Sequence, residues 1–253
     1  MTTEKTATGT TAAGTATAAK STTALPITDF ETVLTTTRAV RRRLDFDRPV
    51  PRETVLDCLR IALQAPTGGD AEDWRFILVG DPEVRRRIGE EYRRLFDLNI
   101  RPRMGKILDG GTMRTEPPKQ PLEEETRHRK ARVYSGAAYL AENIGRAPWL
   151  VLACATRPNP SPNIAAAVYG SVFPAVWSFQ LALRSRGLGS IITTLHLRDP
   201  ETVTRLLGIP EGVTQCALLP VAYTVGTDFR AAPRRAVEEV VFLDGWDRPL
   251  VGD

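Results

Sequence analysis

The spacing of apolar residues along the chain predicts a mixture of helices and strands. Apolar residues recur every three or four positions, as on one face of a helix, in residues 28–37, 51–66, 84–95, 134–146 and 164–186. Short apolar runs, typical of strands, cover residues 74–79, 149–155, 190–195 and 215–223. The helix at 164–186 is apolar on nearly all sides, which predicts a central buried position. The last strand contains Pro220, which predicts an edge or a bulge, because proline has no N–H to donate.

Capping and proline signals set the predicted ends of several helices. Thr28, with Glu31 three positions later, has the form of a capping box at the start of the first helix. Pro51 suits the first position of the second helix, and Pro66 ends it. Asp199, which is followed by a proline, predicts the start of one more short helix.

Three segments lack a regular apolar pattern. Residues 1–27 are mostly Thr, Ala and Gly, which predicts a disordered tail ahead of a single domain at 28–253. Residues 99–130 are polar and contain several prolines and glycines, so we expect an excursion or lid over a site. Basic and apolar residues alternate after residue 229, which predicts an extended C-terminal arm over residues 229–253.

Composition and charge exclude several classes of protein. The 34 basic and 30 acidic side chains leave a net charge of +4, well short of the excess typical of nucleic-acid-binding proteins. Three separated cysteines and two histidines without ligand spacing indicate reduced thiols, no metal site and a cytoplasmic protein. No apolar run approaches the roughly 18 residues that span a bilayer, so we expect no membrane-spanning helix.

Two basic clusters and one turn-rich loop contain the candidate functional residues. Residues 38–43 include four arginines, and guanidinium groups bind phosphate through paired hydrogen bonds. The loop at 65–74 connects a helix to a strand, and the second basic cluster lies at 229–235. An isolated arginine run is more often a solvated helix face than a ligand site. The three segments together favour a site for a phosphate-bearing cofactor.

In their order and spacing these segments resemble the nitroreductase family of FMN-dependent oxidoreductases. Residues 38–41, Arg-Ala-Val-Arg, are similar to the family's opening Arg-Ser-hydrophobic-Arg pattern. Residues 65–74 are similar to its loop AP(S/T)xxNxQxW, and residues 186–190 to the segment after its central helix. Residues 234–235 match its late basic pair, and the resemblance covers residues 30–246.

The resemblance implies a nitroreductase-like α+β fold. Its features are a central, mostly antiparallel sheet flanked by helices and an intertwined homodimer that binds FMN at the subunit interface. The long helix at 164–186 would lie at that interface, and the arm from residue 229 would cross onto the partner and add to its sheet. The functional unit would then be the dimer.

The resemblance also implies roles for individual residues. Arg38 would bind the phosphate, and Arg41 would lie beside N1 and O2 of the flavin. Backbone N–H groups near Thr194 and Leu195 would approach N5, and no side chain has an assigned catalytic role. Residues 66–68 would line the flavin of the second subunit. The implied cofactor-binding residues are Arg38, Ala39, Arg41, Pro66, Thr67, Gly68, Asp70, Thr193, Thr194, Leu195, Arg234 and Arg235.

Three positions depart from the family's pattern. Ala39 replaces a serine and removes one hydroxyl donor, whereas Asp70 and Glu72 replace amide side chains. A carboxylate near the flavin opposes its reduced anion and repels an anionic dinucleotide. The two acids therefore favour a cationic or amine-bearing substrate.

The implied function is hydride transfer between NAD(P)H and a small nitro, quinone or enone acceptor by a ping-pong mechanism, with FMN as cofactor. One alternative is a specialised biosynthetic flavin dehydrogenase or oxidase that acts on an amine-bearing substrate and uses oxygen. Another is a non-catalytic flavin-binding or nucleic-acid-binding regulatory protein. Of the two histidines, we expect His196 to make a hydrogen bond at a strand end and His128 to lie on the surface.

Overall fold

The computed structural model describes residues 29–105, 124–157 and 161–250. The predicted tail at 1–27 and the centre of the predicted lid lie outside the described residues. Within these ranges the helices are α1 (Phe30–Thr36), α2 (Arg52–Ala62), α3 (Pro82–Asn99), α4 (Glu124–Asn143), α5 (Pro162–Arg184) and α6 (Pro200–Leu207). The strands are β1 (Leu44–Asp45), β2 (Trp74–Val79), β3 (Trp149–Ala155), β4 (Leu188–Ser190) and β5 (Thr214–Thr224).

The five strands form one sheet in which every pair of strands is antiparallel. The order is β1-β5-β3-β2, and β4 also pairs with β5. Tyr223 of β5 pairs with Asp45 of β1 and with Leu188 of β4, so these short strands lie on opposite sides of β5. The predicted α+β fold with a mostly antiparallel sheet is confirmed.

Helices cover both faces of the sheet. Val151 and Ala153 of β3 pack against α2 and α5 on one face. Leu150 and Leu152 pack against α3 and α4 on the other face. Because β3 is covered on both sides, the positions that face either side are apolar, and the strand appears in the sequence as a continuous apolar run.

Helix α5 is buried along one face only, so the predicted burial on all sides is wrong for the single chain. Val172, Val176 and Phe179 lie in the core, whereas Ile164 and Trp177 are 47% and 40% exposed. Ile164–Arg184 also has the length and mean hydropathy, 1.4, of a membrane-crossing helix, although 33% of this window is buried. Length and composition alone do not decide whether this helix crosses a membrane, so the expectation of no membrane-spanning helix stays a prediction.

The first two helices begin one or two residues later than predicted. Phe30 starts α1, and the carboxylate of Asp29 caps it by accepting a hydrogen bond from the backbone N–H of Thr32 at 3.0 Å. Thr28 lies outside the described residues. Pro51 precedes α2 as its N-cap instead of occupying the first helical position. An aspartate directly before the apolar residues thus takes the capping role.

The strand predicted at 190–195 ends at Ser190. Thr193 makes only an isolated bridge to Leu218, and Leu195–Arg198 forms a 3-10 turn. The backbone N–H of Leu195 reaches the hydroxyl of Thr193 at 3.5 Å. This local bond accompanies the turn, because a side-chain hydroxyl offers the backbone an alternative to strand pairing.

Pro220 lies inside the sheet, not at its edge. It pairs with Leu150 of β3, and the irregularity in that pairing lies at Ala153/Cys154. On the opposite side of β5, Leu218 donates its N–H to Thr193 and Thr224 donates to Gly187. Pro220 falls between these donors, where β4 has ended, so its missing N–H leaves no partner unsatisfied.

The predicted lid at 99–130 is partly helical. Helix α3 reaches Asn99, a 3-10 turn covers Arg101–Arg103, and α4 already begins at Glu124. Residues 106–123 lie outside the described residues. The arm after residue 229 is largely exposed and contains the 3-10 turn Val237–Glu239, so it is not extended throughout.

Candidate functional site

The arginine segment at 38–43 is fixed to the end of β4. Ala39 bridges to Ser190, and the backbone N–H of Val40 donates to the Ser190 carbonyl at 3.0 Å. Val40 is buried, so its position is fixed, and Arg38 and Arg41 precede and follow it in the chain. Nη1 of Arg38 donates to the carbonyl of Arg230 at 2.7 Å, which joins this segment to the start of the arm.

Arg41 is a partly buried cation. The Arg41 side chain lies close to α4 at Gly136. A Cβ placed on this glycine would be only 3.3 Å from Cδ of Arg41. Burial lowers the pKa of Arg41, and the nearby Tyr92 partly opposes the shift. Within the described ranges, no hydrogen bond or ion pair holds its guanidinium. Such a charge is suited to a ligand that bears or gains negative charge.

Tyr92 connects Arg41 with residues 193–195. Its hydroxyl lies 2.7 Å from Oγ1 of Thr193, and both side chains are buried. Burial raises the pKa of Tyr92, while the bond to Thr193 and the charge of Arg41 lower it. Thr193 is also fixed by two backbone bonds to Leu218, and the next residue, Thr194, is exposed. We call Arg41, Tyr92 and residues 193–195 the Arg41 region.

The loop at 65–74, named the Gly68 loop below, contacts a different part of α5. The N–H of Gly68 donates to Oγ of Ser171 at 3.0 Å, whereas Ser190 beside the arginine segment accepts from Gln180 at 2.9 Å. Nine residues of helix separate Ser171 from Gln180, roughly 14 Å along the axis. The contacts of the single chain therefore do not join the Gly68 loop to the Arg41 region.

Asp70 and Glu72 project from the Gly68 loop into solvent. Both adopt left-handed backbone conformations, with φ of 54° and 45°. Pro66 is exposed as well, and Thr67 accepts a hydrogen bond from the N–H of Asp70 at 3.3 Å. These residues form a rim that is open to a second molecule.

Some of the other arginines in the two basic clusters have protein partners, and others lie on the exposed arm. Arg42 donates to the carbonyl and hydroxyl of Ser135, and Arg43 binds Asp228 at 2.5 Å. Both of these arginines therefore have protein partners. Arg234 and Arg235 are exposed on the arm, so the single chain does not bring them to the Arg41 region.

Three residues at or near the site were missed or misjudged from sequence. Tyr92 was assigned only to a helix, and Arg184 to the end of another. His196 is buried, and both ring nitrogens lack a hydrogen-bond partner in the described part of the chain, so its expected hydrogen bond is wrong. Burial lowers the pKa of His196 to about 4. The described residues contain no cluster of three or more His, Cys, Asp or Glu suited to a metal.

Two solved structures share this fold. The FMN-dependent nitroreductase NfnB of Mycobacterium smegmatis, in complex with NADPH, superposes with a TM-score of 0.61 and 20% identity over 85% of this chain and 97% of that one. Iodotyrosine deiodinase bound to FMN and 3-iodo-L-tyrosine gives a TM-score of 0.58 and 23% identity over 82% and 95%.

Sequence comparison also finds similar proteins and a matching family. Iodotyrosine deiodinase of Thermotoga neapolitana is 30% identical over 189 residues, which cover 74% of this chain and 84% of that protein. Iodotyrosine deiodinase 1 of Rattus norvegicus is 28% identical over 191 residues, and the match spans only 59% of its length. The profile of the Nitroreductase family matches residues 34–223. The chain therefore belongs to the nitroreductase family.

Proposed function

We propose that this chain is an FMN-dependent oxidoreductase, active as a homodimer, that uses NAD(P)H to reduce a small organic acceptor of the nitro, quinone or enone type. The observation that carries the proposal is the partly buried guanidinium of Arg41, which has no protein partner in the described ranges. A fixed cation of this kind stabilises charge that develops on a bound group.

The residues present fit FMN. Arg41 offers an unpaired positive charge, and Arg38 donates a hydrogen bond from Nη1 to the carbonyl of Arg230. Arg234 and Arg235 are exposed on the arm that begins beside Arg38. When bound, FMN supplies hydride transfer at N5 and carries negative charge near N1 and O2 in its reduced form.

Each part of the Arg41 region has a task in this proposal. Arg41 stabilises negative charge, and outside this region Arg38 binds the phosphate. The Tyr92–Thr193 hydrogen bond fixes the backbone of residues 193–195, so that the exposed Thr194 keeps one orientation. Preorganisation of this type is effective because no protein rearrangement is needed during the reaction.

The homodimer completes the site in this proposal. The Gly68 loop is separated from the Arg41 region within one chain, and it reaches the flavin of the second subunit. Exposed apolar residues on α5 and on the arm, Trp177 (40%) and Trp246 (83%), support an extensive contact between subunits. A second chain on these surfaces removes apolar area from water.

A second candidate is reductive dehalogenation of an aromatic substrate that carries an amino group. Its support is the 30% identity to the T. neapolitana protein named iodotyrosine deiodinase. The exposed carboxylates of Asp70 and Glu72 suit an ammonium group on such a substrate. In this reaction reduced FMN would supply two electrons, which together with one proton replace the carbon–halogen bond by carbon–hydrogen and release halide.

The test is anaerobic mixing of the purified, flavin-loaded dimer with NADPH. We expect a yellow protein whose flavin absorbance bleaches and returns on addition of a nitroaromatic or quinone. A colourless protein that does not take up FMN contradicts the proposal. Bleaching by dithionite but not by NADPH or NADH rules out the nicotinamide donor. Halide release by the dithionite-reduced protein from a halogenated phenol that carries an amino group then identifies the second candidate.

A further inference from the structure

Arg184, near the C-terminal end of α5, is almost completely buried. The residue is 4% exposed, and Nη2 donates to Oγ1 of Thr36 at 3.2 Å and to the carbonyl of Thr227 at 2.9 Å. Nε and Nη1 are also buried but have no hydrogen-bond partner in the part of the chain that the structure describes. Two strong donors of one cation are therefore left without an acceptor.

The surroundings of Arg184 carry excess positive charge. The ring of Phe229 lies between two guanidinium groups, 4.1 Å from Arg43 and 4.8 Å from Arg184. Burial lowers the pKa of Arg184, and Arg43 lowers it further. The carboxylate of Asp228 is exposed and already pairs with Arg43. Among the described residues, no ion pair neutralises Arg184.

A small cavity lies against Arg184, and its wall contains donors but no carboxylate. Arg38 and Ser190 also contribute to this wall, whose lining includes neither aspartate nor glutamate. The Ser190 hydroxyl oxygen accepts from Nε2 of Gln180 at 2.9 Å, which leaves its proton available to donate. A buried cation with unfilled donors is unfavourable unless an anion or water completes its contacts.

The size of the cavity limits its occupant. Its volume is about 10 Å³, which holds the centre of about one water-sized ligand. A phosphate group, with four oxygens around its centre, needs more room than this. A monatomic ion carries a full charge in that space and can contact both guanidinium N–H groups and a hydroxyl.

We propose that this cavity binds one small monovalent anion, of the size of chloride, through Nε and Nη1 of Arg184 and the hydroxyl of Ser190. The ion balances the positive charge of Arg184 and of the neighbouring Arg38 and Arg43. Arg41, Tyr92 and residues 193–195 do not line this cavity, whereas Arg38, to which the proposed function assigns the FMN phosphate, does.

The first measurement is thermal unfolding of the flavin-loaded protein at constant ionic strength while chloride replaces gluconate. A saturable rise in the midpoint of roughly 3–6 °C is expected at chloride tenfold above half-saturation. In Arg184→Gln this rise should disappear. The matched control is Arg186→Gln, which removes a positive charge two residues away, where Arg186 binds the Ala182 carbonyl and Ser185 instead of the cavity.

The second measurement is a bromide-soaked crystal of the unmodified protein, which needs no variant to fold. An anomalous peak within about 3.5 Å of Nε and Nη1 of Arg184 supports the site. No peak there, together with no anion-specific shift, overturns the proposal in favour of water. It is also overturned if Arg184→Gln weakens FMN binding more than tenfold with an unchanged chloride response, since the cofactor phosphate is then the anion.

Discussion

The Arg41 region and the Gly68 loop belong to the same implied site, but they are built in opposite ways. Arg41 and Tyr92 are enclosed by α3 and α4, and Thr193 is tied to β5 through its backbone. The Gly68 loop is exposed, and the N–H of Gly68 is anchored to α5 through Ser171. Under the proposed function, this difference means that one chain preorganises the charge-bearing part of the site, while the open rim is completed by assembly.

The largest effect is expected from breaking the assembly while leaving the Arg41 region intact. Trp177→Glu places a charge on the exposed apolar side of α5, where a second chain would bury it at high cost. We expect monomers that lose nearly all bound flavin, measured by light scattering and flavin absorbance. Val133→Glu, at an exposed apolar position on α4, is the matched control and should remain a flavin-loaded dimer.

The next largest effect should come from the charge inside the Arg41 region. Arg41→Ala removes the cation without removing a protein hydrogen bond, so the fold should persist while kcat/KM falls by about 10²–10³-fold. Arg42→Ala is the control, because Arg42 is exposed and bonded to Ser135. Equal losses in the two variants would contradict a special role for Arg41.

His196 makes the enclosed region sensitive to acid. Its pKa is lowered from 6.5 to about 4 in the folded chain, so the unfolded chain binds a proton first as pH falls. The free energy of unfolding should therefore decrease by about 3 kcal/mol in total as the pH falls from 6.5 to about 4. Below pH 4 it should level off. Urea unfolding at each pH measures this slope.

The two histidines of the chain provide the comparison for that slope. His196→Phe should flatten the dependence on pH, whereas His128→Gln should leave it unchanged, because His128 lies on the exposed side of α4. A slope that survives in His196→Phe shows that another group titrates.

The smallest effect is expected in the open loop. Glu72 has a φ of 45°, which glycine adopts without the cost that a side chain brings. Glu72→Gly should raise stability by about 0.5–1 kcal/mol, while Glu72→Gln keeps the strain and removes only the charge. If the carboxylate binds an ammonium group on the substrate, KM rises in both variants, and stability rises only in the glycine variant.

The enclosed parts of the fold were predictable from sequence where local pattern decides the structure. Strands β2 and β3 have the predicted bounds. In β3 burial on both faces leaves a continuous apolar run, and β2 is apolar except for the exposed Arg75. The end of β4 was missed because strand pairing depends on β5, which is distant in sequence. Pro220 gave a misleading signal, since a proline is tolerated inside a sheet where the neighbouring strand has stopped.

Candidate residues could be chosen from the sequence by their type, but their contacts could not be predicted. The arginine pattern made Arg38 and Arg41 candidates, yet nothing local indicates that Tyr92, 51 residues after Arg41, lies between Arg41 and Thr193. The burial of Arg184 could not be predicted for a similar reason. An arginine at a helix end is usually solvated, and only the packing of α1 and Phe229 over it creates a buried cation.

Subunit complementation tests most directly whether two chains share one site. Gly68→Leu should fold, because a Cβ at this position meets only Ser171 at an ordinary 3.6 Å, but it should block the partner's site. Arg41→Ala disables the site of its own chain. After mixing and re-association of the two inactive variants, half of the dimers are mixed and each has one intact site, so activity should return to about one quarter of normal. Activity that stays at the level of the separate variants would contradict a shared site.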